Sequence, residues 1–86
     1  MNPAVLRPLS PAMTEAICYM TWLANHSAAM PGTCPNAEAG CVVAVVTMKA
    51  LERRGLVEPA RCLVDPSARG EFRLTQAGRA AFIAIP

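Results

Sequence analysis

Between Met48 and Val57 the chain reads MKALERRGLV, and this stretch constrains the fold more than any other. Ala44, Met48 and Leu51 stand at helical spacing, and Glu52, Arg53 and Arg54 suit a solvated last turn. Gly55 supplies the left-handed conformation in which helices commonly end, because it has no Cβ to penalise a positive φ. Leu56 and Val57 follow at once, so they enter the core as a strand begins. The stretch is a helix-to-strand joint.

Upstream lies CVVAVVT, whose β-branched content on its own suggests a strand. The helical spacing of the second half outweighs it, and a helix is predicted over Cys41 to Gly55, with Ala44, Met48 and Leu51 buried. An earlier helix begins near Pro11: Ser10 is a natural N-cap, and proline at the first helical position gives up a donor that would be unpaired anyway. Met13, Ile17, Met20 and Ala24 form one apolar stripe, and Ala16, Tyr19 and Leu23 form another beside it. With Trp22 added, this helix is apolar over most of its circumference. It serves either as a central core helix or as one with a face left for a second copy or a partner. Between the two helices Pro31, Gly32, Pro35 and Gly40 break any long element, and a short helix over Pro35 to Ala39 is expected, capped by Thr33 or Asn36 and ended by Gly40.

After Gly55 come three short β-prone runs, LVEP, RCLVD and EFRLT, with DPSARG as a hairpin turn between the last two. Thr75 then caps a final helix, QAGRAAFIAI, whose Ala77, Gly78 and Ala81 allow close packing. The expected fold is α+β: one domain over 1–86 with three helices, a short β-hairpin wing and a short C-terminal helix, preceded by a flexible arm at 1–9.

The succession TMKALERRGLVEP and RCLVDPSARGEFRLTQAGRAAF resembles the winged helix-turn-helix proteins, in the manner of small bacterial and phage regulators. The resemblance is carried by residues 42–82 and extends to 9–41 only as element order. It implies a cytoplasmic regulator of transcription, with the helix at 42–55 in the major groove of duplex DNA and the wing at 62–74 on the adjacent backbone or minor groove. Transferred to this chain, the groove-facing positions are Val43, Val45, Val46, Thr47, Lys49 and Ala50. The DNA contacts expected are Thr47, Lys49, Arg53 and Arg54 from the helix, Arg61 at the wing base, Arg69 in the wing and Arg73 in the third strand.

The valines depart from that pattern. Base readout uses side chains matched to donor and acceptor edges, whereas valine can touch a thymine methyl but cannot discriminate guanine. Three buried valines contribute on the order of 1.5–3 kcal/mol each, enough to anchor a protein interface. The alternative is therefore a protein-interaction module on the same scaffold, as a homodimer or as a phage inhibitor of a host defence complex of the anti-CRISPR type, using Val43, Val45, Val46, Tyr19 and Trp22. A third reading places Val42 to Val46 in a larger core.

Charge permits either partner. Residues 1–46 hold one arginine against two glutamates, a net −1, and residues 47–86 hold seven cations against four carboxylates, a net +3. This skew is weaker than that of a committed nucleic-acid binder, whose pI exceeds about 9. Other chemistries find little support. Cys18, Cys34, Cys41 and Cys62 lack C-x-x-C spacing and read as reduced thiols acting as small hydrophobes, so neither zinc nor another cofactor is expected. The single histidine, His26, stands in no nucleophile–base grouping and the carboxylates are scattered over surface-like positions, so the chain is not expected to be an enzyme. Neither a run of about 18 apolar residues nor a signal-peptide layout is present, and no membrane partner is expected.

Overall fold

A computed structural model describes residues 8–30, 32–61 and 70–86 of the 86-residue chain. Its elements run α1 (Pro11–Ala29), β1 (Ala37–Glu38), α2 (Val45–Arg53), β2 (Val57–Pro59), β3 (Glu71–Leu74) and α3 (Gln76–Ile83). The strands form one antiparallel sheet in the order β1-β3-β2. This is an α+β arrangement of three helices and a small sheet. The predicted strand RCLVD and its turn, including Cys62 and Arg69, lie outside the described residues except for Arg61 and Gly70, so the wing at 62–74 is described only from Gly70 onward.

The helix ends follow from local chemistry. Ser10 accepts the Met13 N–H through its hydroxyl at 3.2 Å, and Pro11 occupies the first turn of α1. At the end of α2, the Leu56 N–H reaches the Leu51 carbonyl at 3.0 Å and the Gly55 N–H reaches Glu52 at 2.9 Å. These paired bonds form a Schellman cap, which needs the left-handed Gly55, here at φ +72°. Thr75 caps α3 by accepting the Gly78 N–H at 3.1 Å, and its hydroxyl donates to the Gly55 carbonyl at 2.6 Å. The joint out of α2 is thereby tied to the start of α3.

One core serves all the elements. Met13, Ile17 and Met20 from α1 meet Met48 and Leu51 from α2, with Leu56, Val57, Phe72 and Leu74 from the sheet region. β3 is central, pairing Ala37 with Phe72 on one side and Val57 with Leu74 on the other. Pro59 lies on the edge strand β2, where the missing N–H costs no ladder bond between strands.

Several expectations are corrected. Residues 35–39 contribute a strand, not a short helix, because Ala37 is buried opposite Phe72 and gains sheet bonds that an isolated turn of helix would lack. The helix predicted from Cys41 starts at Val45. Gly40, at φ +91°, reverses the chain and donates to the Val43 carbonyl at 2.7 Å, so Cys41–Ala44 form a turn. Ala44, expected in the core, is the exposed N-cap residue of α2. In α1 the buried set is Met13, Ala16, Ile17 and Met20, while Ala24 is exposed. Of the arm expected at 1–9 only Pro8 and Leu9 are described: Leu9 packs against the core and the Pro8 carbonyl accepts from Arg54 Nη2 at 3.3 Å.

Candidate macromolecule-binding surface

α2 buries Met48 and Leu51 and turns Val45, Val46, Lys49 and Arg53 to solvent. This follows from helical geometry, since residues three and four apart share a face. Val46 is 72% exposed and Val45 52%, and Val42, in the preceding turn, is 64% exposed. Val43 is the exception. It is only 4% exposed and belongs to the core, because the bridge between Ala39 and Val43 carries its side chain inward. It is therefore neither a groove-facing nor an interface residue. Val42 takes its place on the surface, a position sequence reasoning missed because it treated 41–44 as helix.

The solvent face of α2 changes character along its length. Its N-terminal end has no side-chain cap, and the N–H groups of Val45, Val46 and Thr47 have no partner among the described residues. That end carries the positive pole of the helix dipole. The C-terminal half carries the cations. Lys49 Nζ stands 3.8 Å from Glu52 Oε1 in an exposed pair of the kind that contributes little. Arg53 is exposed and holds no ion pair among the described residues. Thr47 is half-buried beside α1.

The other nominated cations lie elsewhere. Arg54 is half-buried and reaches back to Pro8 in the segment before α1. Arg61 is exposed just beyond β2, and its carbonyl accepts from Asn36 Nδ2 at 3.4 Å. Arg73 pairs with its cross-strand neighbour Glu58, Nε to Oε1, at 2.7 Å. Arg69 lies outside the described residues. Of the nominated residues that are described, the structure unites Lys49 and Arg53 on the solvent face of α2 and assigns Thr47, Arg54, Arg61 and Arg73 to different surroundings.

The two aromatics expected at an interface are adjacent. Tyr19 is half-buried and shares a cleft of about 200 Å³ with Val42, Val43 and Thr47, between α1 and the start of α2. Trp22, 56% exposed, stacks on Tyr19 with centroids 6.4 Å apart and on His26 at 4.9 Å. An apolar strip thus passes from α1 onto the turn that carries Val42.

Two further corrections concern polar groups. Cys18 and Cys41 are exposed, not buried hydrophobes. Glu71, read as a surface carboxylate, is buried in the central strand: Cys34 Sγ donates to its Oε1 at 3.4 Å, and its Oε2 has no hydrogen-bond partner among the described residues. No three His, Cys, Asp or Glu side chains converge among those residues, and no helix there is long and apolar enough to cross a membrane. Comparison with family models, curated proteins and solved structures finds no match to this chain.

Proposed function

We propose that this chain is a small winged-helix module that binds duplex DNA, with α2 against the major groove and the sheet edge beyond β2 toward the backbone. The observation that carries the reading is the solvent face of α2. Its uncapped, dipole-positive start suits a phosphate, Val45 and Val46 suit thymine methyl groups, and Lys49 and Arg53 follow as backbone cations. With so few readout side chains, affinity comes chiefly from counterion release and sequence preference is shallow.

Selection from a random duplex pool and salt titration test the reading together. Replacing Lys49 or Arg53 by Ala should weaken binding across all duplexes and reduce the salt slope by about 1 for each phosphate no longer neutralised. Absence of duplex binding even at low salt would sink it.

A specific observation favours a second reading, in which the same face meets a protein. Val42, Val45 and Val46 are all more than half exposed, and Val42 shares a cleft with Tyr19, whose ring stacks on Trp22. Exposed apolar groups of this kind gain more from a protein surface than from phosphates. Val46→Asp separates the two: it should remove self-association or partner binding at any salt concentration, whereas on DNA it should weaken binding by a repulsion with phosphate that salt screens, so that the fold loss relative to wild type shrinks as salt rises.

A further inference from the structure

The second half of α1, residues 35–36, the end of β3 and α3 line a groove of about 420 Å³. Its size falls in the range of small-molecule sites. Gly78 brings the first turns of α3 against the Leu56 carbonyl, while Phe82 and Ile83 at the other end remain exposed. Met20, Ala24, Leu74 and Phe82 provide apolar walls. Two guanidinium side chains, Arg73 and Arg79, line the same groove, and no carboxylate does among the described residues.

Both arginines retain donors. Arg79 uses Nη1 to reach the Leu74 carbonyl at 3.3 Å, and Arg73 uses Nε to hold Glu58. The Arg73–Glu58 pair is solvent-exposed, so it restrains the arginine weakly. An apolar trough lined by two arginines, of which Arg73 is held only by an exposed ion pair to Glu58, complements an amphipathic ligand with one negative end. At about 30 Å³ for each water-sized group, the volume holds roughly a dozen non-hydrogen atoms.

We propose that this groove binds a small organic anion with an apolar body, its carboxylate held by Arg79 and Arg73 and its hydrocarbon part against Met20, Ala24, Leu74 and Phe82. The site lies apart from the solvent face of α2 and does not depend on what that face binds. A free carboxylate of about a dozen heavy atoms fits it; an extended lipid surface would cover the exposed rim without filling the trough.

Decanoate and decanol, titrated into the ¹⁵N-labelled protein at equal sub-micellar concentrations, test the assignment. Decanoate should shift the amides of Ala24, Leu74 and Phe82, and decanol should bind about tenfold more weakly or worse. Arg79→Met should lower decanoate affinity about tenfold, as expected when one charge-assisted hydrogen bond is removed. Ala24→Phe should block the trough while leaving the spectrum of the core intact. Equal affinity for decanol and decanoate, shifts confined to the Val42–Val46 surface, or absence of shifts with either compound would each overturn the proposal. So would a protein that ignores monomeric decanoate and sediments with vesicles of an anionic lipid. If Arg79→Met fails to fold, the wild-type comparison of the two probes still decides.

Discussion

Gly78 in α3 lies directly against the backbone carbonyl of Leu56, so that a Cβ added at Gly78 would run into the carbonyl oxygen and also crowd Leu74. Helix propensity and packing therefore make opposite demands at this position. Propensity alone favours alanine by about 0.8–1 kcal/mol, whereas forcing a methyl against fixed backbone costs typically about 1–3 kcal/mol. Packing should win: Gly78→Ala is expected to lower stability in chemical denaturation, and a stabilised variant would show that α3 sits farther from the sheet.

Val43 and Val46 stand three residues apart in sequence with opposite fates, one in the core and one in solvent. Val43→Ala removes two buried methyl groups and leaves a cavity, a loss of about 2 kcal/mol. Val46→Ala should change stability by less than about 0.5 kcal/mol, as surface substitutions do. Denaturant midpoints of the two variants measured side by side check this, and similar losses at both positions would contradict the placement of the turn before α2.

Thr75 joins two elements through one hydroxyl, accepting from Gly78 N–H and donating to the Gly55 carbonyl. Removal of an N-cap hydroxyl that also satisfies a carbonyl costs about 1–2 kcal/mol. Thr75→Ala should show that loss in thermal unfolding, and Thr75→Ser should recover most of it. Failure of serine to rescue would mean that the threonine methyl, not its hydrogen bonds, matters.

Glu71 presents a buried carboxylate oxygen without a donor among the described residues. Buried charge with an unsatisfied acceptor is costly, and the amide of glutamine keeps the shape without the charge. Glu71→Gln is expected to match the wild type or exceed it by up to about 1 kcal/mol. A clear destabilisation in urea titration would show that a donor reaches Oε2 in solution.

Much of this architecture was legible in local sequence. Ser10–Pro11, the Gly55–Leu56 pair and Thr75 each announce a helix terminus, since a cap is an interaction among residues only a few positions apart. The strands at Val57–Pro59 and Glu71–Leu74 were legible for the same reason, from alternation and turn residues. The candidate surface was legible in part. Lys49, Arg53, Val45 and Val46 share a face because helical spacing requires it, whereas the separation of Arg54, Arg61 and Arg73 from that face depends on where α2 and the sheet lie in space.

What the sequence determined by itself is the start of α1, the end of α2, the start of α3 and the core positions Met13, Ile17, Met20, Met48 and Leu51, because these arise from interactions within one or two turns. The tertiary structure alone decided that Ala37 is a strand residue, that Val43 belongs to the core and Val42 to the surface, and that Glu71 is buried. Each depends on pairing with β3 or on the reversal at Gly40, and the stabilisation comes from residues distant in the chain. Residues 37–43 have too few local interactions to prefer one conformation strongly, so the partner that reaches them decides.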